Sequence, residues 1–524
     1  MVKSQWCFYC LLNQHPKINQ NYNSMHSEDL YQQYTSKMRR IADVKNALAV
    51  LQWDQETYLP AKGAALRAEQ MATLSEIAHE MFADAELEGL LKTLSEAKDL
   101  SFTQQRNVVL TLEDYNKNKK YSAAFVRKLS EATSRCYHSW IEARKQSNFS
   151  LFKKDLSTLI DLKKEEAHIL GFEKHPYDAL LNEYEKGATV EWLDGLFNNL
   201  QKPLKQLLDT ILQKTQPDTS FLKQHFDKDK QWAFGLEILK RIGYDFEAGR
   251  QDISAHPFTT SFNAQDVRVT TRIDENDFTS MTWSCIHEGG HALYEQGLPV
   301  ESYGLPAGEF CSLGIHESQS RLWENCIGRS LAFIEGNFPL MQQYFPELQK
   351  VTPAELYRAL NKVQPSLIRT EADELTYHFH VMIRYDVEKK LIEGSLSVDD
   401  IPSFWNEKYL QYLGVQVPDD AQGCLQDIHW SHGSFGYFPT YSLGSLYAAQ
   451  FLSYTEKHYQ GLQLQIADGD YIQIHQWLKA HVYQYGRIYS SEELCNKATG
   501  EPLQLQYFMK YLNHKYAEIY QLPK

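Results

Sequence analysis

Apolar residues recur along most of this chain at steps of three and four, the pattern of helices that bury one face. Leu30, Tyr34, Met38, Ile41, Leu48 and Leu51 fall at such steps, or at two turns, and predict one stripe of a long helix. Amphipathic stretches of the same kind occupy residues 121–146, 190–214, 368–393 and 470–485. Ahead of Leu356, Leu360 and Val363 stand Thr352, Pro353 and Glu355, a cap, a first-turn proline and a capping-box acid that together predict a helix start. One segment breaks this rhythm. From Asp266 to Ile273, Val267, Val269, Thr271 and Ile273 alternate with Asp266, Arg268, Thr270 and Arg272, the period of a half-buried strand. The expected fold is mainly α, with a minor β element just before the run HEGGH at His287 to His291. No internal repeat and no long Pro/Gly/Ser linker divides the chain, so residues 25–524 are expected to form one helical domain and residues 1–24 a loosely held extension.

Composition narrows the class of function. Hydrophobic residues make up 43% and aromatics 13% of 524 residues, enough for a large core. The 53 basic and 67 acidic residues give a formal charge of −14, and no local basic patch offsets it, so neither nucleic acid nor an anionic membrane is an expected partner. Eight scattered cysteines do not resemble a disulfide framework and point to a reducing, cytoplasmic compartment. Cys7 and Cys10 have no second pair with which to close a zinc knuckle, and the apolar run at residues 6–12 lacks a small-residue cleavage site. No run approaches the roughly 18–20 apolar residues needed to span a bilayer.

The chemistry concentrates in HEGGH. On a helix His287 and His291 lie one turn apart on one face, where both imidazoles reach a single ion, and Glu288 beside the first is placed to take a proton from metal-activated water. HExxH also arises by chance, so its context matters. Trp283, Ile286, Leu293 and Tyr294 supply a buried flank. Two glycines inside a helix cost about 1 kcal/mol each relative to alanine, which predicts close approach of another element or of substrate. A catalytic zinc takes a third protein ligand. The candidates are Glu301, Glu309, Glu317, Glu324 and, as an outsider, His316. Glu301 and Glu309 sit in a Gly/Pro-punctuated loop, whereas Glu317 opens the helical run HESQSRLWENCIGR and is the favoured ligand; its competing role is an i,i+4 pair with Arg321.

Further segments accompany this motif in order: WDQETYLP at 53–60, YDALLNEYEKG at 177–187, HPF at 256–258, Asp266, Arg268 and Thr270, HESQ at 316–319, IRTEAD at 368–373 and GCLQDIHW at 423–430. With them the chain, from about residue 27 onward, resembles the Taq-type thermostable zinc metallocarboxypeptidases. The resemblance implies that His287, His291 and Glu317 hold one zinc per chain, replaceable by cobalt, with Glu288 as general base. It also implies a helical saddle with a deep groove and a short sheet near the metal, a homodimer, and removal of single residues from free peptide C-termini with broad preference. Arg369 in IRTEAD is the implied carboxylate anchor, although its spacing equally suits a helical pair with Asp373. Arg268 and Thr270 share a strand face that would lie along the groove beside an extended substrate, the competing reading being a solvated edge strand. His256, Gln426, His429 and Trp430 would line the same cleft. An oxyanion donor is sought in HGSFGYFPTYSLG, which offers His432, Tyr437 and Tyr441, with Tyr441 favoured. The rival readings are a helical oligopeptidase or dipeptidyl carboxypeptidase, and a catalytically silent helical scaffold. Intact His287, Glu288, His291 and Glu317 argue against the latter.

Overall fold

The long helix predicted from the first apolar stripe forms as α1 (Ser27–Thr57) in a computed structural model that describes residues 26–523. The expected extension at 1–24, with Cys7, Cys10 and the apolar run at 6–12, lies outside the described residues. Leu30, Tyr34, Met38 and Ile41 enter a small core with Leu87, Leu90, Leu91, Leu94 and Val108. Leu48 and Leu51 are only half-buried, because beyond Ile41 the helix runs out of that core and Ala42, Lys45 and Asn46 face a groove. A second, far larger core runs from Ala132 to Tyr520 and gathers most other helices. The groove, about 2230 Å³, takes its walls from elements of both cores.

Several predicted helices form close to their expected bounds, at Ala123–Gln146 and Val190–Leu212. Pro353–Leu360 starts at a reciprocal capping box, Glu355 N donating to Thr352 Oγ1 at 3.2 Å and Thr352 N to Glu355 Oε2 at 2.8 Å. Two are shorter than expected. The 368–393 stretch becomes α-helical only at Tyr377, because the Asp373 carboxylate accepts from the backbone N–H groups of Gln364, Leu375 and Thr376 and, apart from a single 3-10 turn at Arg369–Glu371, keeps the segment before it out of the helix. The 470–485 stretch is helical over Ile472–His481 and then tightens into a separate turn at Tyr483–Tyr485.

The alternating segment forms β3 (Asp266–Thr271), beside β1 (Gly249–Ile253) and β2 (Thr259–Asn263). The order is β1-β3-β2, with β1 parallel and β2 antiparallel to β3. β3 is therefore the central strand, paired on both sides. It is neither a solvated edge nor free to pair with another chain; the edge strand whose residues line the groove is β2.

Three helices frame the site. Helix α2 (Phe278–Gly297) begins where Asp277 accepts from Thr279 N at 2.9 Å and Ser280 N at 3.4 Å, and it carries HEGGH. Helix α3 (Leu313–Arg321) is capped by Ser312, whose Oγ accepts from Ile315 N at 3.0 Å. Helix α4 (Pro439–His458) packs along α3. The glycines of HEGGH serve these crossings. A Cβ on Gly290 would stand 2.7 Å from Gln319 O and 2.8 Å from Ser320 Cα, and one on Gly289 would stand 2.8 Å from Ile242 Cδ1 and Leu239 Cδ2. From the other side, a Cβ on Gly444 would meet Glu317 Cγ at 2.5 Å, so α3 is clasped between α2 and α4. Among the described residues no helix is long and apolar enough to cross a membrane.

Candidate active site

Because α3 crosses α2 at Gly290, Glu317 is delivered to the histidine pair one helix away. Donor atoms of His287, His291 and Glu317 all lie within 4.8 Å of one another. Glu317 Oε2 is 3.5 Å from His291 Nε2 and 3.9 Å from His287 Nε2. A tetrahedral ion with ligand bonds of about 2.0–2.1 Å requires donor separations of about 3.3–3.4 Å, so Glu317 and His291 already stand near that separation and the wider donor pairs would draw in on a small divalent cation. The competing role of Glu317 is also realised, on its other oxygen: Arg321 Nε donates to Oε1 at 2.7 Å, which leaves Oε2 turned to the imidazoles.

Each group in this cluster has a partner that fixes its direction. Glu324, itself a ligand candidate, instead meets His287 Nδ1 at 2.8 Å from the π-type turn Leu322–Ile327 that continues α3. His316 is likewise not part of the donor set; its Nδ1 is 2.6 Å from His291 Nδ1 and its Nε2 is 2.9 Å from Glu295 Oε1. Glu301 and Glu309 are exposed, and Glu309 pairs with Arg487 at 2.9 Å. Glu288, only 8% exposed, accepts from Thr259 Oγ1 of β2 at 2.6 Å, while the same hydroxyl meets the Glu288 carbonyl oxygen at 2.9 Å. The sheet thus sets the rotamer of the acid beside the histidine pair.

The two imidazoles sit in opposite fields. Burial opposes charge on His287, but Glu324, Glu317 and Glu288 outweigh it and raise the imidazole to about 9. Burial is the largest cause that lowers His291, to about 3. Burial is likewise outweighed at Glu317, where Arg321 and the two imidazoles hold the carboxyl well below its usual range. Glu288 is raised by burial, in the direction a general base needs.

The remaining expected site residues divide sharply. Tyr437 and Tyr441 line the groove with His287, Glu288, His291 and Glu317. His432 does not; it is exposed, with its ring 5.1 Å from Tyr137. Arg369 is buried and is not a wall residue. Its Nε and Nη2 donate to Asp427 Oδ1 at 2.9 and 2.8 Å, its Nη1 to Tyr377 Oη at 2.9 Å, and its guanidinium lies 4.8 Å from the Tyr441 ring. Its carboxylate partner is therefore Asp427 and not Asp373. His429 stands behind Tyr441, Nε2 to Oη 3.1 Å, instead of lining the cleft. Gln426 is a buried clamp, its Oε1 accepting from Arg369 N and Arg384 Nη2, and Trp430 donates to Glu388 Oε1 at 2.8 Å. Arg268 turns from the groove to pair with Asp266 and stack over Trp53 at 4.4 Å. Thr270 is buried, accepting from Phe258 N at 2.9 Å. His256 is exposed, and the groove-lining residues beside it are Pro257 and Phe258. Spacing gave no sign of Thr259. Glu295, four residues after His291 on the same helix face, was within reach of it.

Three clustered donors able to hold a cation, an oriented buried acid and two phenols on a groove wall match the parts of a metal-dependent hydrolase. The profile of the carboxypeptidase Taq (M32) metallopeptidase family matches residues 33–516. The chain is similar to carboxypeptidase 1 of Bacillus subtilis, 39% identical over 488 residues that cover 93% of this chain and 97% of that protein. Among solved structures, one described as that of CHT is 58% identical with a TM-score of 0.92, covering 93% of this chain and 99% of that chain. The M32 carboxypeptidase from Deinococcus radiodurans R1 is 40% identical, also with a TM-score of 0.92, covering 94% and 100%.

Proposed function

From the premise that the chain belongs to the carboxypeptidase Taq (M32) metallopeptidase family and is a metallocarboxypeptidase, we propose that it holds one zinc ion, replaceable by cobalt, on His287, His291 and Glu317, and removes single residues from free peptide C-termini with broad preference. The observation that carries this reading is the convergence of those three donors within 4.8 Å beside Glu288 on a groove wall. Bound there, a divalent ion supplies the Lewis acid that polarises a scissile carbonyl and acidifies water.

The protein's own groups do the rest. Glu288, aimed by Thr259, takes the proton of the attacking water and passes it to the departing amine. Tyr441, braced by His429, donates its phenolic hydrogen bond to the oxyanion, with Tyr437 beside it on the wall. Arg369 acts from behind that wall: its charge, 4.8 Å from the Tyr441 ring, favours the negative oxygens of the oxyanion or of the terminal carboxylate in front. The substrate backbone extends along β2, the strand edge on the groove. The homodimer belongs to the same proposal and is read by sedimentation equilibrium. A reducing, cytoplasmic setting is supported by six described cysteines that are all free and buried.

Mass spectrometry of a free-acid peptide and its C-terminal amide, each incubated with zinc-loaded protein, tests the reading. Stepwise loss of one residue from the acid alone is expected. Internal cuts, loss of residues in pairs, or equal cleavage of both peptides would transfer the chain to the oligopeptidase or dipeptidyl carboxypeptidase reading.

A further inference from the structure

The two ligand imidazoles differ in what stands behind them. His287 Nδ1 meets the Glu324 carboxylate directly at 2.8 Å. His291 Nδ1 meets the Nδ1 of a second imidazole, His316, at 2.6 Å, and only beyond it comes a carboxylate, Glu295 Oε1, 2.9 Å from His316 Nε2. With the His291 Nε2 lone pair turned toward Glu317 and an ion beside it, the His291 proton sits on Nδ1, and one arrangement then makes every contact attractive. His291 Nδ1–H donates to His316 Nδ1, and His316 carries its proton on Nε2 and donates it to Glu295. The opposite tautomer of His316 would set two N–H groups head to head across 2.6 Å.

The ring is held for this task. Phe310 and Tyr294 lie 4.9 and 5.5 Å from it by ring centroid, and Glu295 follows His291 by one helical turn. The same pair of helices alternates ligand and support: α2 provides His291 and Glu295, and α3 provides Glu317 and His316. We infer that His316, anchored by Glu295, is a positioning residue of the metal site, fixing the rotamer and the Nδ1–H tautomer of His291 so that Nε2 faces the ion. This rests on the metal reading given above. It makes the two histidine ligands unequal, one backed directly by a carboxylate and the other through a second imidazole.

The test compares His316→Phe, which fills the space but accepts nothing, with His316→Gln, whose amide accepts from His291 and donates to Glu295. Zinc affinity of the full chain is measured by competition with a chromophoric chelator, and the visible spectrum of the cobalt form reports ligand geometry. His316→Phe is expected to weaken zinc roughly 10–100-fold and alter the cobalt bands, and His316→Gln to return affinity to within about threefold of the parent. Should His316→Phe fail to fold, Glu295→Met carries the test, since it strands the His316 Nε2–H; its zinc affinity should fall at least about threefold. Parent-like affinity in His316→Phe or Glu295→Met, or a His316→Gln as weak as the Phe variant, overturns the inference. A parent protein that binds neither zinc nor cobalt would instead overturn the metal reading on which it rests.

Discussion

Alanine at Gly290 should damage the metal site although it touches no ligand. The added methyl would stand 2.7 Å from Gln319 O and 2.8 Å from Ser320 Cα, backbone atoms of the helix that carries Glu317. Ordinary contacts need about 3.5–4.0 Å, so α3 must retreat by roughly 0.8 Å. Alanine gains about 1 kcal/mol of helix propensity over glycine, and overpacking a rigid core costs about 1–3 kcal/mol. Backbone obstacles place the cost at the upper end, for a net loss of about 1–2 kcal/mol. The same retreat carries Glu317 Oε2, now 3.5 Å from His291 Nε2, away from the separation of about 3.3–3.4 Å that a tetrahedral ion needs. Zinc affinity should fall at least about tenfold. Gly289→Ala is the control, because its methyl meets only the side-chain tips of Ile242 and Leu239, which can yield. Urea unfolding of the metal-free proteins and chelator competition for zinc read the two effects. Equal zinc affinity and stability in the two variants would refute the argument that the glycine exists for the α2–α3 crossing.

Glu288→Gln should lower kcat by roughly 10²–10⁴-fold and leave zinc stoichiometry unchanged, as read by single-residue release and metal analysis. Thr259→Val removes the hydroxyl that aims Glu288 and should reduce kcat with little change in KM, whereas Thr259→Ser, which keeps that hydroxyl, should recover most of it. Asp427→Asn leaves Arg369 and Arg384 buried without their shared carboxylate and should cost about 3–5 kcal/mol at neutral pH. Burial at Asp427 is outweighed by these two guanidinium groups, which hold its folded carboxyl below the ordinary 3.8. Its contribution is therefore complete above that value and is lost as pH falls through the folded one. The stability gap between parent and variant should stay flat from pH 8 to about 5 and narrow only below about 4 in denaturant titrations.

Much of the architecture was legible because it rests on local order. The helices announced by apolar periodicity, and the capping box at Thr352, need only neighbours in sequence. The clustering of His287, His291 and Glu317 was legible for a related reason: two side chains one turn apart need a helix, and the third acid lies in the next helical run. What spacing could not supply was long-range pairing. Alternation identified β3 but not its central place, which depends on two short strands, β1 and β2, with weaker patterns of their own. Arg369 has an acid four residues on, yet its partner is Asp427, brought in by the clamp around Gln426. The motif at 423–430 was read as cleft lining, whereas its Gln426, Asp427 and Trp430 brace the wall from inside. Thr259 had no local mark at all, because its function arises only when β2 folds against α2.

The most direct check of the central claim is anomalous diffraction at the zinc edge from crystals of the zinc-loaded protein. A single strong peak per chain, enclosed by His287 Nε2, His291 Nε2 and Glu317 with Glu288 alongside, is the predicted result. A peak held by other side chains, or no peak among these three after soaking in zinc, would contradict it.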